Sequence, residues 1–205
     1  KQVSLFLERL PGIGEKTANR LAFYFLRLPQ PEIDKFVKHL STLKSRTKLC
    51  SECMNLTEDT TCNICSDKRR DHEMITVVEE VLDIISFETG NIYHGIYHVL
   101  HGRIDPLNHI GPEDIYVNKL LERINELTGS RVNRLKNTKI KEIILATNPD
   151  MEGEATALFI KNRLLELKNN LKLKFKISRL GYGLPIGANL EYADYMTLRK
   201  SIENR

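Results

Sequence analysis

Ala146-Thr147-Asn148-Pro149-Asp150-Met151-Glu152-Gly153-Glu154-Ala155 decides how this chain is read. An apolar run rich in β-branched residues, Ile140 to Ala146, precedes it, and helix-compatible Glu154 to Leu167 follows. The acids therefore belong on a loop that joins the C-terminal end of a strand to the start of a helix. In open α/β sheets, ligands bind at that edge. Met74-Ile75-Thr76-Val77-Val78 has the same character of a buried strand, with Glu79 at its end. Glu79, Asp150, Glu152 and Glu154 are thus expected to converge at neighbouring strand tips. Carboxylates gathered in such a place commonly hold a divalent cation through oxygen. The competing reading is that they only cap the following helix, whose N-terminus favours negative charge.

A Glu after a first strand and an Asp-x-Asp-x-Glu-Gly-Glu stretch after a later one resemble the Toprim domain of type IA topoisomerases, bacterial primases and the RecR family. Here Asn148 stands at the first Asp of that triplet. A neutral amide binds Mg²⁺ less well than a carboxylate, so only weak Mg²⁺ binding is expected.

Hydrophobic residues make up 41% of the 205 and charged residues 28%, the mix expected of a soluble globular protein. No apolar run approaches the length of a membrane span. Lys1-Gln2-Val3 shows no signal-peptide pattern and no initiator Met, so numbering is expected to begin after the natural start. Charge is unevenly placed. Residues 1–71 hold 13 Lys+Arg against 9 Asp+Glu, and residues 72–205 hold 18 of each. All the excess positive charge lies in the first third, which favours a polyanion contact there.

That first third begins with Val3, Phe6, Leu7 and Leu10 at the spacing of an amphipathic helix. Pro11-Gly12-Ile13-Gly14 breaks it. Glu15 to Leu26 resumes helical spacing, with Ala18, Leu21, Ala22 and Phe25 on one face. The pair resembles a helix-hairpin-helix DNA-binding motif. Gly12 and Gly14 let backbone amides approach a phosphate at the positive end of the second helix. Lys16 and Arg20, one turn apart, reach flanking phosphates. Such contacts read no base edges, so binding is expected to be independent of sequence. An ordinary helical hairpin with a solvated basic face is the alternative. A further helix is expected over Glu32 to Leu43.

Cys50-x₂-Cys53 and Cys62-x₂-Cys65 use all four cysteines of the chain. Two such knuckles offer the tetrahedron of thiolates that Zn²⁺ prefers. Disulfides would need an exported protein, and an iron–sulfur cluster is a second alternative. With four sulfur ligands, one Zn²⁺ per chain leaves no position for substrate, so its role is structural. Lys68-Arg69-Arg70, beside it, either touch DNA or are solvated.

From Met74 onward strands and helices alternate. A helix is expected over Val81 to Phe87, and a strand over Tyr93 to Leu100. A long loop from His101 to Gly111 precedes a helix over Pro112 to Leu127. A strand at Leu173 to Ile177 follows the acidic loop and its helix. This order implies a mainly parallel sheet covered on both faces. None of the six histidines has a metal or nucleophile partner in the sequence. A glycine-bearing loop, Gly181 to Asp194, and a helix over Tyr195 to Ile202 end the chain.

In this order, a helix-hairpin-helix (1–49), a Cys₄ zinc finger (50–72), an α/β Toprim domain (73–178) and a Gly-Leu-Pro-Ile-Gly tail with its helix (179–205) look like the bacterial RecR family. Members commonly lack the first triplet acid, so Asn148 fits. The chain departs from the family at Asp150, acidic where many members are not, and at His101, where a Gly is common. The resemblance implies a cytoplasmic, nucleoid-associated mediator of recombinational repair and not an enzyme. It implies binding to single- and double-stranded DNA and to RecO, in many bacteria also RecF, and the loading of RecA onto strands covered by single-strand-binding protein. It also implies dimers and ring-like tetramers. Glu79, Asp150, Glu152 and Glu154 would then dock a basic surface of RecO. A metal-dependent Toprim nuclease is the rival reading.

Overall fold

The computed structural model describes residues 1–128, 140–181, 183–184, 186–187 and 189–203. They form two compact units, Lys1–Lys48 and Leu49–Arg205.

The first unit holds three helices, Gln2–Leu7 (α1), Glu15–Arg27 (α2) and Gln30–Arg46 (α3). Gly12, with φ +79°, reverses the chain between α1 and α2 in a conformation that favours glycine. The anchor of the hairpin is small. Ala18 is fully buried, and Ser4 Oγ donates to Asn19 Oδ1 at 2.6 Å. Phe25 and Phe36 stack α2 on α3, with ring centroids 5.6 Å apart. On α3, Phe36, Val37 and Leu40 stay exposed.

At the boundary of the second unit, Lys48–Leu49 (β1) pairs with Leu56–Thr57 (β2), and Asn63–Ser66 (α4) closes the cysteine segment. The α/β layer then runs Asp71–Val78 (β3), Val81–Thr89 (α5), Gly95–Val99 (β4), Val117–Thr128 (α6), Glu142–Leu145 (β5), Met151–Asn170 (α7) and Lys176–Arg179 (β6). The strands lie in the order β4-β3-β5-β6, and every pairing is parallel. Alternate residues of each strand face opposite sides. Ile75, Val77, Ile143 and Leu145 join Leu120 and Ile124 of α6 and Ile160 and Leu164 of α7 in one core. Val78, Tyr97 and Val99 meet Ile84 of α5 and Met54 of the cysteine segment on the other side. Both faces are therefore covered, as a parallel sheet requires. From β3 the chain passes first to one neighbour, β4, and later to the other, β5. The sheet's topological switch point thus lies between the tips of β3 and β5.

Two boundaries differ from the sequence reading for local reasons. The sixth helix begins at Val117, not Pro112. Asp114 Oδ2 accepts from Gly111 N at 2.7 Å, and Tyr116 N donates to Leu100 O at 2.9 Å. That bond holds the preceding residues on the sheet edge and delays the helix. The last strand is Lys176–Arg179 rather than Leu173–Ile177, because its register starts with Lys176 opposite Glu142. The C-terminal helix covers Tyr195–Glu203 (α8). Tyr182, Pro185 and Ala188 of the glycine-bearing loop lie outside the described residues.

Candidate functional site

The tips of β3 and β5 do bring the acidic residues together, but hydrogen bonds already hold them. Glu79 is 3% exposed. Its Oε1 accepts from Asn148 N at 2.9 Å, and its Oε2 accepts from Asn148 Nδ2 at 2.7 Å. Burial raises the carboxyl's proton affinity, and the two bonds from Asn148 work against that rise. Asp150 is the N-cap of α7, with Oδ1 accepting from Gly153 N at 2.8 Å. Its other oxygen pairs with Arg103. Glu154 pairs with Arg179, whose Nε and Nη2 lie 2.9 and 2.7 Å from Oε1. Arg179 also donates to the carbonyls of Leu145, Thr147 and Asn148, so it closes the end of β5. Glu152 is half-buried at the start of α7.

Gly153 is required at this spot by space. A Cβ there would lie 2.2 Å from Asn148 O and 2.9 Å from Glu79 Oε1. The loop, the helix start and the Glu79 carboxylate therefore interlock around one missing side chain. Asp150 thus acts as the cap that the competing reading foresaw. The acids are brought near one another without forming a carboxylate cage. Among the described residues, only the four cysteines bring three or more ligand atoms of His, Cys, Asp or Glu within 4.8 Å of one another.

Cys50, Cys53, Cys62 and Cys65 are all buried. Local backbone bonds build the two knuckles. Met54 N donates to Cys50 O at 3.1 Å, and Ser66 N donates to Cys62 O at 3.0 Å. Cys62 N donates to Cys50 Sγ at 3.3 Å, the kind of N–H···S bond that favours a thiolate. The thiols do not ionise independently. The hydrogen bond with Cys53 pulls Cys50 down, and the same contact pushes Cys53 up. This donor set, four convergent soft ligands without an oxygen, is positioned to hold a metal ion.

The cysteine segment is tied to the sheet. Val99 N donates to Cys53 O at 2.9 Å, at the end of β4. His101 Nε2 donates to Met54 O at 2.6 Å, and its ring meets Tyr116 edge-on. His101 has φ +55°, a left-handed conformation that glycine would adopt without strain. Its two contacts offset that cost. Arg70 is drawn into an ion pair with Glu88, while Arg69 lies exposed and pairs with Asp67 at 2.8 Å.

In the first unit, Gly14 is the N-cap of α2 and no side chain caps that helix. A Cβ at Gly12 or Gly14 would meet nothing within 4 Å, so both face open space. Lys16 and Arg20 are exposed on the same helix.

Comparison with known proteins places these parts. Residues 6–44 match the model for the RecR helix-hairpin-helix, 73–179 the Toprim domain, and 183–205 the RecR C-terminal region. Recombination protein RecR of Ligilactobacillus salivarius (strain UCC118) is 46% identical over 197 residues, covering 96% of this chain and 91% of the relative. Recombination protein RecR of Carboxydothermus hydrogenoformans is 42% identical over 199 residues, covering 97% and 92%. The chain belongs to the RecR family. Its Toprim match spans both strand tips, so the interlocked carboxylates occupy the place where the Toprim pattern sets its acids. Three residues of this RecR-family chain escaped the sequence reading. Arg103 and Arg179 neutralise acids far away in sequence, and Arg123 faces the cysteine cluster. Only the strand order brings them there, so no local pattern marks them.

Proposed function

We propose that this chain is a DNA-binding mediator of recombinational repair that works by assembly and without catalysis. Its membership of the RecR family carries the reading, and the bonding of Glu79 supports its non-enzymatic part. Both oxygens of Glu79 already accept hydrogen bonds from Asn148, so a catalytic cation would have to compete with those bonds. Mg²⁺ would bind the cluster weakly at most. The cysteine cluster holds one structural Zn²⁺, since four thiolates suit it and leave no reactive position. The working parts are the helix-hairpin-helix at 1–49, the zinc finger at 50–72, the Toprim domain at 73–178 and the tail at 179–205.

Backbone amides at Gly12 and Gly14, with Lys16 and Arg20, hold phosphates of single- or double-stranded DNA whatever the sequence. The N-terminal hairpin and the C-terminal tail join protomers into a dimer or a ring-like tetramer, which the exposed Phe23, Tyr24 and Leu26 of α2 support. Around such a ring, weak phosphate contacts add by avidity. RecO, and RecF where the cell uses it, are the partners, and RecA is the protein loaded. Glu152 at the head of α7 is the residue through which the acidic edge docks a basic surface of RecO. No helix among the described residues is long and apolar enough to cross a membrane. Membership of the family supports work in the cytoplasm, at the nucleoid.

The Toprim match and the convergence of acids favour a second reading, a metal-dependent nuclease. Incubation of the pure protein with labelled DNA and Mg²⁺ or Mn²⁺ separates the two. Retention of intact DNA is expected. Cleavage that disappears in Glu79→Gln would establish the nuclease.

A further inference from the structure

Arg123 is a buried cation in an unusual setting. It is 7% exposed, on the face of α6 that meets the sheet. Nη1 donates to Tyr97 O at 2.7 Å, and Nη2 lies 3.8 Å from Cys65 Sγ. Glu52, Glu122 and Glu126 line a cleft with Arg123. Glu122 pairs with Lys119 at 2.7 Å, and no carboxylate among the described residues lies within the 4.0 Å of a salt bridge to Arg123. A buried guanidinium without a counter-charge is strongly unfavourable. Arginine is also the cation least able to escape by losing its proton. The fold therefore needs a negative charge beside Arg123, and the group it touches is a cysteine sulfur.

We propose that Arg123 is the counter-charge and positioning residue of the metal–thiolate centre. This rests on the reading of the cysteines as a zinc site. Four thiolates around one divalent cation leave two negative charges in excess, in a setting where all four cysteines are buried. Arg123 offsets part of that excess through an N–H···S bond to Cys65. Through Tyr97 O it fixes the same sulfur relative to the backbone of β4. Partners of this kind around metal sites typically change affinity by about 10–100-fold. The arrangement also makes the dependence mutual. Metal loss strips the guanidinium of its counter-charge, so the core between α6 and β4 is held partly by the metal.

The test uses the full-length chain and its Arg123→Lys and Arg123→Met variants. Each is loaded with Zn²⁺, its affinity is measured by competition with a coloured chelator, and it is then reloaded with Co²⁺ for absorption spectroscopy. Wild type should carry one metal per chain. Arg123→Met should bind at least about 10-fold more weakly. Arg123→Lys should recover part of that loss, because it keeps the charge and loses only the geometry of the N–H···S bond. The sulfur-to-cobalt charge-transfer band should move in Arg123→Met, which altered packing alone would not do. Should Arg123→Met prove too unstable to load, the Arg123→Lys band, shifted from wild type by the lost N–H···S geometry, decides. Equal affinities and identical spectra in all three proteins would overturn the role of Arg123 and leave the zinc reading intact. A wild-type chain that takes up no metal would overturn the zinc reading itself.

Discussion

Asn148 gives both its backbone N–H and its side-chain amide to Glu79, at 2.9 and 2.7 Å, so one carboxylate bridges the tips of β3 and β5. The residue that departs from the metal-binding pattern thus supplies hydrogen bonds to Glu79 where that pattern would have a cation. Replacing Asn148 by Asp turns the 2.7 Å hydrogen bond into a contact between two carboxylates. Asn148→Asp should cost roughly 1–3 kcal/mol at neutral pH without divalent cation. Glu79→Gln should be milder, since the Asn148 amide can turn over and accept from the new donor. The double variant, Glu79→Gln with Asn148→Asp, should regain most of the loss, because donor and acceptor are merely exchanged. Thermal unfolding of the four proteins with and without Mg²⁺ forms the cycle. Additive effects would mean that the two residues do not sense each other.

Gly153→Ala tests the interlock around that pair. Alanine is the better helix former, so propensity alone predicts a gain of about 1 kcal/mol. The 2.2 Å approach to Asn148 O reverses the sign. A net loss of roughly 1–3 kcal/mol is expected, as in other overpacked positions. Denaturant unfolding reads it, and a stabilised variant would show that the loop moves aside freely.

His98 gives a pH signature. It is fully buried in β4, and Nε2 donates to Tyr116 O at 2.9 Å. Burial, with Arg123 adding to it, lowers its pKa to about 3. The unfolded chain takes up a proton near the ordinary histidine value of about 6.5. This group's contribution is therefore fully present above that value and is lost as pH falls toward 3. His98→Gln keeps a donor for Tyr116 O and removes the titration. The wild-type minus variant stability should fall between pH 7 and pH 5, by ~1.4 kcal/mol per pH unit at most. Taking the difference cancels acid effects on the cysteines. A flat difference would mean that His98 is not held neutral.

The hairpin has a salt signature. Lys16→Ala with Arg20→Ala should weaken binding to all DNA sequences alike. The slope of log affinity against log salt should drop by about 1 for each lost phosphate contact. Fluorescence anisotropy across a salt series measures both. An unchanged slope would remove the hairpin from the interface.

The fold was legible where one segment sufficed to encode it. Val77 and Val78 lie in an unbroken β-branched run, and Cys50 to Cys65 carry their spacing with them, so a parallel sheet and a cysteine cluster followed directly. The start of α6 was not legible, because the bond from Tyr116 N to Leu100 O comes from another element. The state of the acids was hidden for the same reason. Arg179 reaches Glu154 only because β6 pairs with β5, and Arg103 reaches Asp150 across a loop. Sequence showed the carboxylates, and strand order supplied their partners.

RecA assembly on single-stranded DNA coated with single-strand-binding protein, with RecO present and this chain added or withheld, decides whether the chain is a mediator. The chain should accelerate assembly and leave the DNA intact in Mg²⁺, and Lys16→Ala with Arg20→Ala should lose the acceleration. No acceleration by the folded, metal-loaded wild type, or scission of the strand, would contradict that role.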